Sequence, residues 1–152
     1  MTQSFAQLLW DSNGQPVRWK GKTLMMYHRI SLPGYECRLK YRILSATTKW
    51  KEGFAIKAGG SLEFDDGQKY GKDWVVIWWE GEPIEQEFVC RSKKKILDVK
   101  NVWDTGSGCI DSWYNNSALW VEEIEGGYRY HCNDGRYDED FDDIVFEILI
   151  LN

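Results

Sequence analysis

Residues 37–46, CRLKYRILSA, decide the fold class of this chain. The apolar residues Leu39, Tyr41 and Ile43 alternate with arginine and lysine. A period of two places the apolar side chains on one face of a strand and the charged side chains on the other. The segment is therefore predicted to be a β-strand with one buried face and one face in solvent.

Strand patterns continue toward the middle of the chain. Residues 74–79, WVVIWW, are apolar on both faces. They predict a strand in the middle of a sheet, buried on both sides, or a strand that presents an aromatic face to a partner. Residues 50–57 and 61–64 predict a pair of strands across Ala-Gly-Gly, and an Asp-Gly turn follows the second of them.

The two ends of the chain give the remaining patterns. A short edge strand is predicted at residues 5–10, a hairpin at residues 118–124 and 128–132, and a hydrophobic final strand at residues 144–151. No stretch of useful length has helical periodicity. About ten short strands with frequent turns predict one antiparallel β-sandwich domain over residues 1–152, with a barrel as the alternative.

Composition limits the classes of partner. The net charge is −5 and the pI is about 5.1, which argues against nucleic acid because phosphate binding depends on clustered lysine and arginine. Nine tryptophans exceed what one core needs, and such a surplus is typical of ligand or protein surfaces. Neither a signal peptide nor a membrane-spanning run is visible, so a soluble protein is expected, either secreted or cytoplasmic.

Residues 103–120, WDTGSGCIDSWYNNSALW, are the strongest candidate for a binding site. A pyranose has apolar C–H faces that stack on aromatic rings, and Asn and Asp side chains match its vicinal hydroxyls. The alternative is that the rings plug one end of the core and the asparagines only form turns. The predicted sugar-binding residues are Trp103, Asp104, Asp111, Trp113, Tyr114, Asn115, Asn116 and Trp120.

The acidic residues 133–143, NDGRYDEDFDD, are a candidate calcium loop. Clustered carboxylates are hard oxygen ligands and repel each other unless a cation or water screens them. The spacing does not fit an EF-hand, because no glycine follows the third ligand position. A solvated acidic turn is the alternative. The candidate ligands of Ca²⁺ are Asp134, Asp138, Asp140 and Asp142.

Four cysteines, Cys37, Cys90, Cys109 and Cys132, leave two redox states open. They permit two disulfides in three connectivities, or they are buried free thiols. Their spacing matches no zinc, CxxC or haem motif. No catalytic residue is predicted either, because neither histidine, His28 or His131, lies in a nucleophile motif and no G-x-S-x-G occurs.

Three short motifs resemble a family of small bacterial β-sandwich proteins of unknown function. They are Gly21-x-x-Leu24-x-x-Tyr27, Leu32-Pro33 with Cys37-Arg38, and Cys109-x-Asp111-Ser112-x-Tyr114. The family often has tryptophan before the Asp-Ser pair, where this chain has Ile110. The resemblance implies a Cys37–Cys109 disulfide, which leaves Cys90 and Cys132 for each other, and it implies no activity.

The aromatic segment followed by Asn-Asn is also similar to starch-binding sandwich modules, which bind glucans through exposed tryptophans. Together these features predict a non-catalytic module that binds carbohydrate or a glycan-bearing surface. The first alternative is a protein-interaction or toxin-type component that uses Trp74, Trp78 and Trp79 as an exposed strip for assembly, docking or membrane contact. The second is a hydrolase with an unrecognised site.

Overall fold

A computed structural model of the chain describes residues 4–113, 115–136 and 138–151. These residues form one helix and thirteen strands. In chain order they are α1 (Phe5–Asp11), β1 (Val17–Trp19), β2 (Lys22–Met25), β3 (His28–Ser31), β4 (Glu36–Ala46), β5 (Lys51–Lys57), β6 (Ser61–Phe64), β7 (Lys69–Tyr70), β8 (Val75–Trp78), β9 (Glu85–Arg91), β10 (Ile96–Asp104), β11 (Ala118–Ile124), β12 (Gly127–Asn133) and β13 (Ile144–Ile150).

The strands form two antiparallel sheets, which confirms the predicted β-sandwich. The large sheet has nine strands in the order β1-β2-β11-β12-β13-β4-β9-β6-β7, and the small sheet has the order β3-β10-β5-β8. The alternation in β4 is as predicted, with Leu39, Tyr41 and Ile43 fully or almost fully buried. The hairpin of β11 and β12 and the final strand β13 are also present.

Aromatic rings from both sheets fill the core between them. Phe54 of the small sheet stacks on Phe146 of the large sheet, with ring centroids 4.2 Å apart and planes at 10°. Tyr130 also stacks on Phe146, with ring centroids 4.8 Å apart. All three rings are fully buried, and such contacts add to the free energy gained by removing the ring surfaces from water.

The predicted edge strand at residues 5–10 is wrong, because this segment is the helix α1. The Ser4 side chain accepts a hydrogen bond from the Gln7 backbone N–H and caps the helix. Phe5 and Leu9 lie one turn apart on the same face and are buried in a second small core with Leu24. The apolar positions were too few for the helical period to be recognised.

The predicted hairpin of residues 50–57 with 61–64 is also wrong. The first segment is β5 of the small sheet, whereas the second is β6 of the large sheet and pairs with β7 and β9. The glycines between them therefore form the crossing from one sheet to the other. Residues 74–79 contain β8, an edge strand that pairs with β5 in the described part of the chain, so WVVIWW is not central in its sheet.

The outer faces of the two sheets differ in chemistry. On the large sheet, arginines and glutamates of neighbouring strands form a row of ion pairs. Near its centre, Arg42 and Arg129 both form ion pairs with Glu147. On the small sheet the outward positions combine aromatic rings with lysine and arginine. No helix in the described residues is long and apolar enough to cross a membrane.

Candidate functional site

Trp103, the first residue of the predicted sugar site, belongs to the core. It lies in β10, is 1% exposed and stacks on Trp50 with ring centroids 6.4 Å apart. Its backbone exchanges two hydrogen bonds with Asp111, at 3.1 and 2.8 Å, which closes the loop between them. Trp103 therefore fits the alternative in which the rings of this segment fill one end of the core.

The polar residues of the same segment also have structural partners. The Asp104 carboxylate accepts hydrogen bonds from the backbone N–H groups of Gly106 and Gly108, at 2.8 and 3.2 Å. Asn116 is buried and its Oδ1 accepts a hydrogen bond from the Phe5 backbone N–H. The Asn115 carbonyl accepts one from the Ala6 N–H, which fastens the segment to the helix. The predicted site residue Tyr114 lies outside the described residues.

Trp120 lies in the large sheet and faces a different surface. It stacks on His131 at 4.2 Å, and Lys22 Nζ lies 5.3 Å from its ring centroid. The ring packs against the small core beneath α1. The described residues of the predicted sugar site are thus divided among the core, the loop closure and two surfaces.

Trp113 is the exposed member of the set, and it lies in a cluster that we call the aromatic patch: Tyr27, Trp74, Trp113 and Lys100. The Trp113 ring lies 6.5 Å from Trp74, edge to face, and 6.3 Å from Tyr27. Trp113 and Tyr27 are each 39% exposed. The indole N–H of Trp113 donates to the Met26 carbonyl oxygen at 2.9 Å, which fixes the ring.

Lys100 connects the two tryptophans of the aromatic patch. Its Nζ lies 4.4 Å from the Trp74 ring centroid and 4.3 Å from that of Trp113, within cation–π range of both. The ammonium also donates to the Ser112 hydroxyl at 3.2 Å. Burial, followed by repulsion from Lys57, lowers the pKa of Lys100.

A pocket of about 310 Å³ lies beside the aromatic patch. We call it the basic pocket, because Arg29, Lys57, Lys93 and Lys94 line it together with a single carboxylate, Asp98. Arg29 holds Asp98 through two hydrogen bonds of 2.8 and 3.1 Å. Three lysines are therefore left in excess, and the basic pocket attracts anions.

Arg29 and Lys57 join the basic pocket to the aromatic patch. The Arg29 guanidinium lies 5.9 Å from the Tyr27 ring, and Lys57 Nζ lies 5.8 Å from the Trp74 ring. Because Lys57 follows the core residue Ile56 in β5, its side chain is on the outer face of the small sheet. The rings and the cations thus form one continuous surface.

A larger and more open depression of about 580 Å³ lies around Tyr35, Gly60 and Arg91. Its main cation, Arg91, is held by ion pairs with Glu36 at 2.9 Å and Glu63 at 3.1 Å. The charge of Arg91 is therefore neutralised by two glutamates, and the other lysine or arginine of this lining, Lys93, also lines the basic pocket.

The acidic loop gathers a different set of carboxylates from the predicted one. One oxygen each from Asp138, Asp140 and Asp143 lies within 4.8 Å of the other two. The predicted ligand Asp142 is not in this group, and Asp143 takes its place. Asp134 is fully buried, and its backbone N–H donates to Asp143 Oδ2 at 2.9 Å.

Burial and mutual repulsion raise the pKa values of this acidic group. Burial is the main cause for Asp143, whose pKa rises to about 7, and for Asp138, whose pKa rises to about 6. Glu52, at the start of β5, has a pKa of about 11, because it is buried and lies beside Asp134 and Asp143. Glu52 and Asp134 are 1% and 0% exposed, so a substrate does not reach them in this structure.

The disulfides that the resemblance implied are not formed, because all four cysteines are free thiols. Cys109 is exposed in the loop after β10, whereas Cys37 is buried in β4, where Cys90 of β9 lies directly opposite it. Cys132 is buried in β12. The alternative of free thiols therefore describes this structure.

The two histidines have structural partners. His28 Nδ1 lies 2.9 Å from the Tyr130 hydroxyl, and burial lowers the pKa of His28. His131 Nε2 lies 3.0 Å from a Glu122 carboxylate oxygen and its ring stacks on Trp120. Neither arrangement is a recognised nucleophile and base pair.

Fold and surface together define the class of the protein, an all-β sandwich with an aromatic and cationic surface on its small sheet. No protein-family model, no curated protein and no solved structure matches the chain. The resemblance to the small bacterial sandwich family therefore stays a prediction.

Sequence reasoning missed most of the aromatic patch and the basic pocket, and at the acidic loop it missed Glu52 and Asp143. Tyr27, Trp74 and Lys100 come from three distant segments, and no local spacing links them to Trp113. Glu52 had a detectable signal, because it precedes Phe54 and Ile56 by an even number of residues and so shares the buried face of β5. A carboxylate at that position indicates a polar site inside the sandwich.

Proposed function

We propose that this chain is a non-catalytic carbohydrate-binding module whose ligand is an acidic glycan, bound across the aromatic patch and the basic pocket. The observation that supports this best is that the partly exposed Trp113 ring lies beside both Tyr27 and Trp74, with Lys100 over the two tryptophan rings. Exposed rings held by hydrogen bonds and packing lose little entropy when a ligand binds.

The rings supply the stacking surface that a pyranose needs. Trp113 and Tyr27 are both partly exposed, and their centroids are 6.3 Å apart with planes at 50°. Such a tilted pair receives the apolar C–H face of a sugar on one ring and its edge on the other. Lys100 and the Ser112 hydroxyl, 3.2 Å apart, supply polar partners for the hydroxyl groups.

The cations favour an acidic glycan over a neutral one. Lys57 lies between the aromatic patch and the basic pocket, and Lys93 and Lys94 line the pocket beyond it. A carboxylate or sulfate group in the basic pocket gains attraction from this excess of positive charge. The whole chain carries a net charge of −5, so this attraction is local to the small sheet.

The test is a tryptophan fluorescence titration with matched pairs of glycans. One pair is oligogalacturonate and its methyl ester, and another is a sulfated and an unsulfated form of one backbone. We expect a saturable change with the acidic member of a pair and weaker binding of the neutral member. Added salt weakens the acidic interaction because it screens the lysines.

Two tryptophan variants separate the aromatic patch from a general effect. Trp113→Ala is expected to raise Kd at least about tenfold, which corresponds to about 1.4 kcal/mol. Trp10→Ala is the matched control, because Trp10 is 75% exposed on α1 and is not part of the aromatic patch. A flat response to every glycan, or equal losses in both variants, would overturn the proposal.

A protein-interaction role is the second candidate, and the edge strand β8 favours it. Trp78 faces outward from β8, and Lys51 Nζ lies 4.6 Å from its ring. An edge strand with aromatic side chains is suited to pairing with a second chain. Concentration-dependent self-association that Trp78→Ser abolishes, without glycan binding, would favour this role over carbohydrate recognition.

A further inference from the structure

Three carboxylates of the acidic loop lie close together. The oxygens of Asp138, Asp140 and Asp143 lie within 4.8 Å of one another. This spacing fits ligand atoms on one ion, because Ca²⁺–oxygen distances are about 2.3–2.6 Å and two ligands on opposite sides are then separated by about twice that.

Two more carboxyl groups, Glu52 and Asp134, are buried near these three and have oxygen atoms without a hydrogen-bond donor in the described part of the chain. Among the described residues, no hydrogen-bond donor reaches either oxygen of Glu52 or the Oδ2 of Asp134. Glu52 is 1% exposed and Asp134 is fully buried. Asp134 Oδ1 accepts from the Arg136 backbone N–H at 2.9 Å, so Asp134 Oδ2 and the Glu52 oxygens are the atoms left without a donor in the residues that the structure describes. Leaving such atoms buried is costly unless a proton or a cation lies between them.

Glu52 and Asp134 belong to the same acidic group as Asp138, Asp140 and Asp143. Glu52 interacts electrostatically with Asp134, Asp143 and Asp138. Asp134 in turn acts on Asp138 and Asp143. Within the described part of the chain, no lysine or arginine forms an ion pair with any of these side chains. Arg136 is the cation that acts on Asp138 from a distance.

We propose that Asp138, Asp140 and Asp143 bind a calcium ion at the acidic loop, and that the buried carboxyl groups of Glu52 and Asp134 strengthen the site by their electrostatic interaction with these aspartates. All the candidate metal ligands are carboxylate oxygens, which suit a hard cation and disfavour zinc or copper. Three clustered carboxylates with two further buried carboxyl groups nearby favour calcium over magnesium, because magnesium retains several waters and is usually held by one or two carboxylates.

The surrounding amides hold the loop in position for such an ion. Asn133 donates from Nδ2 to the Asp138 carbonyl at 2.9 Å, and its Oδ1 accepts from the Phe141 N–H at 2.8 Å. Asn101 of β10 donates to the Asn133 carbonyl at 2.8 Å, while its own Oδ1 is buried without a donor in the described residues. These bonds connect the acidic loop to the small sheet.

The site joins the two halves of the sandwich. Glu52 comes from β5 of the small sheet, whereas Asp134 and Asp143 flank β12 and β13 of the large sheet. An ion bound at the acidic loop would also attract the Glu52 carboxylate of the small sheet, so its effect is expected in global stability. The aromatic patch is not involved, and the calcium site does not depend on glycan binding.

The test is calcium titration of the intact chain, by calorimetry and by thermal unfolding in excess Ca²⁺ or in chelator. At calcium about a hundred times Kd, we expect Tm to rise by about 5 °C above its value in chelator. Magnesium at the same concentration is expected to give a smaller increase. No heat of binding and no change in Tm would overturn the proposal.

Three variants assign the effect to the site. Glu52→Gln and Asp143→Asn are each expected to lose most of the calcium-dependent rise. Burial raises the pKa of Glu52 to about 11, so the side chain is uncharged near neutral pH without an ion, and glutamine has the same shape. Glu52→Gln therefore keeps about the wild-type Tm in chelator. Asp73→Asn, on an exposed aspartate outside the cluster, keeps the full rise. A rise retained in both site variants would also overturn the proposal.

Discussion

Trp103 and Trp113 belong to one predicted loop but have opposite roles. Trp103 is buried against Trp50, so Trp103→Phe leaves a cavity and is expected to lower the free energy of unfolding by about 2 kcal/mol. The affinity of the Trp103→Phe variant for a glycan is expected to equal that of the wild type. Urea denaturation and fluorescence titration of the same variant measure the two effects. A lower glycan affinity with unchanged stability would contradict this division.

His28 gives the chain a pH-dependent stability. Burial lowers its pKa below the unfolded value of about 6.5, against the opposing attraction of Glu123 and Asp98. A lowered pKa in the folded state means that the unfolded state binds more protons, so the contribution of His28 costs no stability above about pH 6.5 and lowers stability as the pH falls below it. Tyr128 packs against the ring at 4.7 Å, and the Tyr130 hydroxyl lies 2.9 Å from Nδ1.

Removing the imidazole tests this assignment. We expect the free energy of unfolding of His28→Gln to rise relative to that of the wild type as the pH falls from about 7 to 5, because the variant has lost the contribution of the imidazole. Asp138 and Asp143, whose pKa values are raised to about 6 and 7, titrate in the same range in both proteins and cancel in this difference. Chemical denaturation at a series of pH values gives the slope of the free energy of unfolding against pH for the wild type and for the variant. Identical slopes in the wild type and the variant would show that another group is responsible.

At the scale of elements, Gly53 allows β8 to lie against β5. A Cβ atom at Gly53 would lie 2.6 Å from the Ile77 carbonyl oxygen and 2.8 Å from the Trp78 ring. Gly53→Ala is therefore expected to displace β8 and lower the free energy of unfolding by roughly 1–3 kcal/mol. Gly71→Ala is the matched control, because nothing lies within 4 Å of its Cβ position.

Hydrogen exchange measures this effect at the strand itself. In Gly53→Ala, the amides of β8 are expected to exchange faster, while those of β4 in the other sheet change less. Because Trp74 immediately precedes β8, the same variant is expected to weaken glycan binding. Unchanged protection of β8 would show that the strand absorbs the extra methyl group.

The strands whose pattern is strictly alternating could be predicted from sequence, and the others could not. β4 has one face in the core and one in solvent, so its period is visible in the residues themselves. For β5 and β6, the local pattern is equally strand-like, but it does not say which sheet each strand joins. That choice depends on tertiary packing, which glycine turns alone do not specify.

The sites were predictable only in part, for a related reason. The acidic loop is contiguous, so its aspartates were visible, whereas Glu52 comes from another strand and was noticed only in three dimensions. The aromatic patch is assembled from four segments, and Trp113 was its one member in the predicted site. Trp74 was singled out instead for a protein-interaction role.

At the scale of the whole molecule, the free thiols report on the integrity of the sandwich. Cys109 is exposed, whereas Cys37, Cys90 and Cys132 are buried. Burial raises the pKa of Cys90 to about 12 and that of Cys132 well above its ordinary value. We therefore expect a thiol reagent to label one cysteine in the folded protein and four after unfolding.

The same thiols predict insensitivity to reductant. Because no disulfide links the strands, Tm is expected to be the same with and without a reducing agent. Cys109→Ser removes the reactive thiol and is expected to leave the folded protein unlabelled. Rapid labelling of a second cysteine in the folded state would indicate that the core opens more readily than its burial implies.

Asn116 makes the beginning of the chain sensitive to the acidic loop. One side of its amide accepts from the backbone of Phe5, and the other donates to the carbonyl of Asp138 at 2.8 Å. Whatever fixes the position of Asp138 therefore also holds the first helical turn. Protease cleavage near the amino terminus should consequently slow when calcium is added, which makes a simple digestion gel a readout of an event at the opposite end of the sequence.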